Sequence, residues 1–325
     1  MKRRAFIAIL GGAAAWPLAE HVQQSERIHR VGVLTQYPEN DPIGQTFVVA
    51  FAQALGSFGW VEGRNIRTDY RFAAGDPILF KTYAAELVGM SPDAILASTT
   101  PAAAALRQLT HTIPIVFVTV GDPVGQGFVQ SLARPGGNIT GFSAPDAPLY
   151  GKWLQLLKEI APGVTRVVVI FNPDTLPTAM FNRVIEAAAP SLGMNVTLAP
   201  VHDDAGIEQA VAAQARDPGG SLIDLPGGFA ETHRDVIIAA AAHHRLPLIG
   251  AGVPFARAGG LMSYTTDTVQ VPAQAASYID RILKGASPAD LPVQQPTKYS
   301  LIINLKTPRR WASPFLRACS TSPTR

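Results

Sequence analysis

Four short polar clusters hold the residues most able to do chemistry in this chain. Ser98-Thr99-Thr100-Pro101 brings three hydroxyls to a point where the proline starts a helix. Hydroxyls and backbone N–H groups at a helix start form a ready seat for a carboxylate or another anion. Gly121-Asp122-Pro123 offers a carboxylate that can cap a helix or meet a ligand ammonium. Asn172-Pro173-Asp174 and Pro226-Gly227-Gly228 stand in equivalent places further along. Each cluster also reads as a plain helix cap, with Thr100 the cap of the helix at Pro101, but their recurrence along one edge points to a shared cleft.

Catalytic patterns are absent from the sequence. There is no Gly-x-Ser-x-Gly elbow and no Walker loop, and Gly125-x-Gly127 and Gly250-x-Gly252 lack the third glycine of a dinucleotide loop. His243 and His244 are neighbours on a predicted helix, so they diverge and make a poor metal pair. His202-Asp203-Asp204 reads as a solvated cap where a strand gives way to a helix. Trp60, Trp153, Tyr37 and Tyr83 can be core or ligand stack, and the spacing of Trp153 with Leu156 and Leu157 predicts core. No enzyme activity, metal or cofactor is expected.

The elements that must position these clusters follow from periodicity. Short apolar runs alternate with amphipathic helices, the pattern of parallel sheets covered on both faces. Strands are predicted at Val31–Leu34, Ile66–Phe72, Ala94–Ala97, Ile115–Val120 and Ile139–Phe142. Asp41-Pro42 and Asp76-Pro77 each supply an N-cap followed by proline at the first helical position, and a helix is expected after Asp122-Pro123 in the same way. A second series runs through Val167–Phe171, Val196–Ala199, Leu222–Leu225 and Leu248–Ala251, then a crossing segment at Leu261–Tyr264, a helix through Tyr278 and a last strand at Tyr299–Asn304. The chain reads as two doubly wound α/β lobes in tandem.

Composition sets the class. The 325 residues suffice for two ordinary domains, and 47% hydrophobic against 16% charged residues predicts packed cores. A net charge of +3 gives no nucleic-acid footprint. Residues 1–24 have a cationic start (Lys2, Arg3, Arg4), an apolar run to Ala15 and a polar end, the layout of an export signal too short to span a bilayer. Arg3-Arg4 resembles the twin-arginine signal for folded proteins. With Cys319 as its single cysteine the chain can form no internal disulfide, so an exported form relies on its core.

Residues 30–34 (RVGVL), 55–65 (LGSFGWVEGRN), 114–127 (PIVFVTVGDPVGQG), 132–141 (LARPGGNITG) and 282–306 (ILKGASPADLPVQQPTKYSLIINLK) resemble the substrate-binding proteins of ABC transporters related to tryptophan and tyrosine binders. The resemblance runs to Thr307. It implies a type I periplasmic binding fold, two doubly wound parallel-sheet lobes joined by a three-segment hinge. Lobe 1 would be 27–145 plus 265–285, and lobe 2 would be 146–264 plus 286–307. The implied function is a periplasmic solute receptor, with its signal removed, that closes on a small amino-acid-like or carboxylate ligand. It would deliver that ligand to an inner-membrane ABC permease driven by a separate ATPase. Carried over by position, Ser98, Thr99 and Thr100 would hold a ligand carboxylate and Asp122 would line the cleft near the amine. Asn172, Tyr264 and Asp267 would face them, and Tyr37 would stack on an aromatic ligand. The chain departs from the pattern at Leu225-Pro226-Gly227-Gly228, where amino-acid binders tend to carry an acid or amide. A periplasmic ligand sensor or an effector-binding regulatory protein would share the fold, although residues 1–24 are too apolar for a DNA-binding segment.

The end of the chain also departs from the family. Residues 308–325 are rich in arginine, serine and proline. Written in GC-rich codons and read with one base added in front, Arg309–Arg325 gives Lys-Ala-Leu-Gly-Leu and onward to an acidic finish, which resembles the family ending. A one-base frameshift near codon 308 is therefore expected, leaving an aberrant tail with no core to join.

Overall fold

The computed structural model describes residues 27–145, 148–174, 179–266 and 270–306. The export signal expected over 1–24, the residue Asp267 and the tail 308–325 lie outside the described residues.

The first sheet is built from β1 (His29–Thr35), β2 (Ile66–Phe72), β3 (Ala94–Ser98), β4 (Ile115–Val120) and β5 (Ile139–Ser143). All pair in parallel, in the order β2-β1-β3-β4-β5. Helices α1 (Pro42–Ser57), α2 (Pro77–Gly89) and α3 (Thr100–Leu109) connect the strands. The two Asp-Pro signals act as expected: Asp41 accepts from Ile43 and Gly44 N–H, and Asp76 from Ile78 and Leu79 N–H. These bonds satisfy donors that a helix start leaves orphaned.

No helix follows Asp122-Pro123. Residues 123–127 make consecutive turns, with Gln126 N–H donating to Asp122 O at 3.0 Å and Gly127 at φ 68°. The Asp122 carboxylate bends over Gly125 and accepts its N–H at 2.8 Å, a position where a Cβ would stand 2.0 Å from the carboxylate oxygen. Two glycines and the lack of apolar i, i+4 spacing outweigh the Asp-Pro signal here.

The second sheet comprises β6 (Arg166–Phe171), β7 (Asn195–Pro200), β8 (Gly220–Asp224), β9 (Leu248–Gly250), β10 (Met262–Thr266) and β11 (Tyr299–Ile303). Its order is β11-β10-β9-β8-β6-β7, with only the β10–β11 pair antiparallel. Around it lie α4 (Pro148–Ile160), α5 (Ala179–Ala188), α6 (Asp204–Gln214), α7 (Gly228–Thr232), α8 (Arg234–His244) and α9 (Val253–Ala258). Counted within its own series, each sheet has the order 2-1-3-4-5, and the second adds β11 at its edge. The switch points fall between β1 and β3 and between β6 and β8, where such sheets open a crevice beyond the strand ends.

Each sheet is buried on both faces. Phe80, Leu106 and Phe117 pack on one face of the first sheet, and Phe51, Leu96 and Tyr278 on the other. Trp153, Leu157 and Ile223 fill one face of the second, and Ile170, Leu222 and Phe255 the other. Burying each such side chain stabilises by about 1.5–3 kcal/mol. The chain passes between the sheets three times, at 143–148, 266–271 and 294–299. After the second passage α10 (Val271–Leu283) packs beside α1, and Asp280 accepts the Trp60 indole N–H at 2.9 Å. Residues 291–294 remain on the first sheet: Leu291 O accepts from Thr140 Oγ1, and Gln294 N–H donates to Gly141 O at 3.0 Å.

Candidate functional site

The carboxyl ends of β1, β3 and β4 lie side by side and carry the first-lobe candidates. Ser98 ends β3 and is buried. Thr99 follows at φ 98°, a region β-branched residues rarely occupy, and its buried Oγ1 has no partner. It holds the N-cap position of α3 without any side-chain capping bond. Thr100 was the expected cap, but its hydroxyl instead accepts Gly121 N–H at 3.3 Å, tying the β3 rim to the β4 rim. Asp122 stands at φ 42°, exposed, with one carboxylate oxygen already on Gly125 N–H. Ala74 (φ 49°) after β2 and Thr119 (φ 58°) in β4 complete a rim of four non-glycine residues with left-handed backbone. Such strain persists where surrounding structure over-determines it, and it gathers at binding sites.

Tyr37 follows β1 and lies against α1, where Gly44 leaves room for it: a Cβ on that glycine would stand 2.6 Å from the Tyr37 Cβ. Burial raises the Tyr37 hydroxyl pKa, and the negative charge of Glu231 from the second lobe raises it further. Gln36 beside it is buried, with Oε1 unpartnered.

On the second lobe, Asn172 follows β6 and its Oδ1 accepts Asp174 N–H at 2.8 Å. Tyr264 lies in β10, two residues short of the rim. Its ring stacks on Tyr299 at 5.9 Å, and its carbonyl accepts the Trp153 indole N–H at 2.6 Å. Trp153 is fully buried, as its spacing predicted.

Two acidic residues here had not been singled out from sequence. Asp224 ends β8, 3% exposed, with Oδ1 unpartnered; burial first, then Glu231, holds its pKa well above the carboxylate range. Glu231 on α7 is pushed up to about 7 by burial, against the pull of Arg234, which it meets at 3.3 Å. The available signal was a charge at the end of the apolar run Leu222-Ile223-Asp224-Leu225. These acids sit beside the very segment where the sequence lacks the expected one. The lobes touch here, with Thr232 Oγ1 donating to Ala74 O at 3.3 Å.

The rim thus pairs strained, hydroxyl-bearing backbone at the uncapped start of α3 on the first lobe with a carboxyl pair on the second. No group of three or more His, Cys, Asp or Glu among the described residues is placed to hold a metal ion. No described helix is long and apolar enough to cross a membrane.

The family model described as ABC transporter substrate binding protein matches residues 39–311. The chain belongs to the ABC transporter substrate-binding protein family. Among relatives of this substrate-binding protein, a tyrosine-binding protein of Clostridioides difficile (strain R20291) is 26% identical over 286 residues, covering 87% of this chain and 81% of the relative. A conserved domain protein of Vibrio cholerae superposes with a TM-score of 0.81 at 29% identity, over 92% of this chain and 100% of its own. The L-Trp complex of an ABC domain from Streptococcus pneumonia gives 0.77 at 22% identity, over 87% and 94%. The fold is the two-lobed type I periplasmic binding fold. The family is one of solute-binding proteins rather than enzymes.

Proposed function

We propose that this substrate-binding protein is the solute receptor of an importer, working outside the inner membrane and handing its closed, loaded form to a permease with a separate ATPase. The two sheets with their helices move as two bodies about the three crossings, and the ligand is a small amino-acid-like zwitterion held between them.

Thr99 carries this reading. A β-branched residue kept at φ 98°, with a buried hydroxyl lacking a partner at an uncapped start of α3, suits a ligand carboxylate. Ser98 and Thr100 flank it. Asp122 from the first lobe meets the ammonium, and Asp224 from the second, its carboxyl held towards the neutral form by burial, faces it as a hydrogen-bond partner. Asn172 and Tyr264 belong to the facing wall, where the family resemblance also puts Asp267. Tyr37 offers an aromatic edge, in keeping with the tyrosine and L-Trp named for the relatives. A carboxylate accepting from fixed donors forms charge-assisted bonds worth about 1.5–3 kcal/mol each.

The test is a thermal-shift and calorimetric screen with aromatic amino acids, aromatic acids, purines and small carboxylates. A ligand at a hundred times its Kd is expected to add about 2.7 kcal/mol of stability. Thr99→Ala is expected to weaken binding at least tenfold with little change in the unliganded melt. A cooperatively melting protein that answers to no zwitterion or carboxylate would overturn this ligand class.

A further inference from the structure

The lobes meet at one point where neither backbone carries a side chain. Gly75, at φ 73°, follows β2 on the first lobe, and Gly228 opens α7 on the second. A Cβ on Gly228 would stand 2.9 Å from the Gly75 Cα; one on Gly75 would stand 2.9 Å from the Gly228 carbonyl carbon and 3.3 Å from Phe229 N. Those are backbone atoms, which cannot swing aside as the end of a long side chain can. Apart from its chain neighbours and the backbone of its own helix, the three heavy atoms nearest a Gly228 Cβ all belong to the first lobe, one from Gly75 and two from Gln36. Beyond its own helix the second lobe therefore sets nothing so near the added methyl, and Gly228 is not among the residues with positive φ.

The turn that receives Gly228 is itself rigidly built. Ala73 N–H donates to Thr35 O at 2.8 Å, Ala74 N–H to Tyr37 O at 3.3 Å and Asp76 N–H to Ala73 O at 2.8 Å. Thr232, one turn along α7, reaches the Ala74 carbonyl. A glycine on a short helix thus lands on a glycine in a braced turn, with a hydroxyl beside them fixing the register.

We propose that the Gly75–Gly228 backbone contact is the stop that sets how far the two lobes close, so that Gly228 governs ligand retention without touching the ligand. This rests on the two-lobe binding reading above. In the open form an alanine at 228 is unopposed, and α7 gains a better helix former. In the closed form its methyl wedges the lobes apart, and a ligand bound by both of them loses contact with one.

The test uses the full chain with Cys319→Ser and spin labels at Lys81→Cys on α2 and Asp235→Cys on α8, both exposed in the parent. Interlobe distances are measured by pulsed electron resonance with and without L-tyrosine and L-tryptophan. Gly228→Ala is expected to remove the shortest distance population, weaken binding at least tenfold through faster release, and leave the unliganded melt unchanged or raised. Gly163→Ala, in the turn before β6 at the opposite end of the same sheet, is the control, since nothing lies within 4 Å of its Cβ and its φ is not positive. It should behave as the parent. If the parent binds neither amino acid, the ligand class fails, while the stop is still decided by the unliganded distances. A Gly228→Ala protein that closes as far as the parent overturns the proposal, as does a Gly163→Ala protein equally impaired.

Discussion

The two lobes share a strand order and differ at the rims they turn towards each other. The first lobe's rim is strained and hydroxylated: Ala74, Thr99, Thr119 and Asp122 all hold left-handed backbone there. The second lobe's rim shows no such residue among those described; it has glycines at 227, 228 and 252 and the carboxyls of Asp224 and Glu231. One side has its backbone fixed in sparsely populated conformations. The other carries carboxyls that burial holds towards their neutral form, and its glycines let the backbone come close. A binding cleft benefits from this division, because preorganisation on one face lowers the ordering cost while the opposite face stays free to move.

The largest effect should come from breaking the second lobe's core. Trp153→Ala removes a fully buried indole and its bond to the Tyr264 carbonyl, and is expected to cost about 3–5 kcal/mol. Calorimetry should show a second-lobe transition moving down while a first-lobe transition stays in place. A single transition moving as a whole would mean that the two sheets unfold as one unit and that their difference is confined to the rims.

Acid and base should act on the lobes in opposite senses. Asp69 on the first lobe has its pKa lowered, chiefly by the Arg30 hydrogen bond at 2.6 Å, so its contribution is present above its ordinary value and fades as pH falls. Glu231 on the second lobe is raised from 4.5 to about 7. Below that window both folded and unfolded chains hold the proton. Within it only the folded chain does, so stability falls as pH rises and the penalty is complete above about 7. Glu231→Gln should recover on the order of 1–3 kcal/mol at pH 8 and flatten the profile between pH 5 and 8. An unchanged slope would place the pH response elsewhere, with Asp224→Asn the next variant.

The smallest effect tests where the lobes should be alike. Asp76 caps α2 and Asp203 caps α6 through Gly206 N–H at 2.8 Å. Each change to alanine should cost about 1 kcal/mol in chemical denaturation. A clear inequality would show that the helices of one lobe lean more on their ends than on their packing.

What was legible in the sequence followed from local physics. Asp41-Pro42, Asp76-Pro77 and His202-Asp203-Asp204 carry their capping chemistry within a few residues, and all three caps formed. Asp122-Pro123 carries the same signal, but glycines two and four residues past the proline turned it into a loop. The Ser98–Thr100 and Asp122 clusters could be placed on one edge because strand order in a doubly wound sheet is nearly fixed by rule. The strain at Thr99 was invisible, since a backbone angle imposed by the neighbouring strand end leaves no mark on residue type. Asp224 and Glu231 were missed because their meaning arises only when α7 folds back over the end of β8.

Three covalent crossings also change the thermodynamics of closing. Two separate bodies would lose an estimated 4–15 kcal/mol of translational and rotational freedom on meeting. Tethered at three points, these sheets are always at high effective concentration with respect to each other, so their meeting is nearly free of that loss. The gap between open and closed then narrows to the few kcal/mol that two or three charge-assisted bonds can tip. On the proposed two-lobe reading the same narrow gap lets the protein reopen, so holding and releasing a ligand become attainable states of one chain.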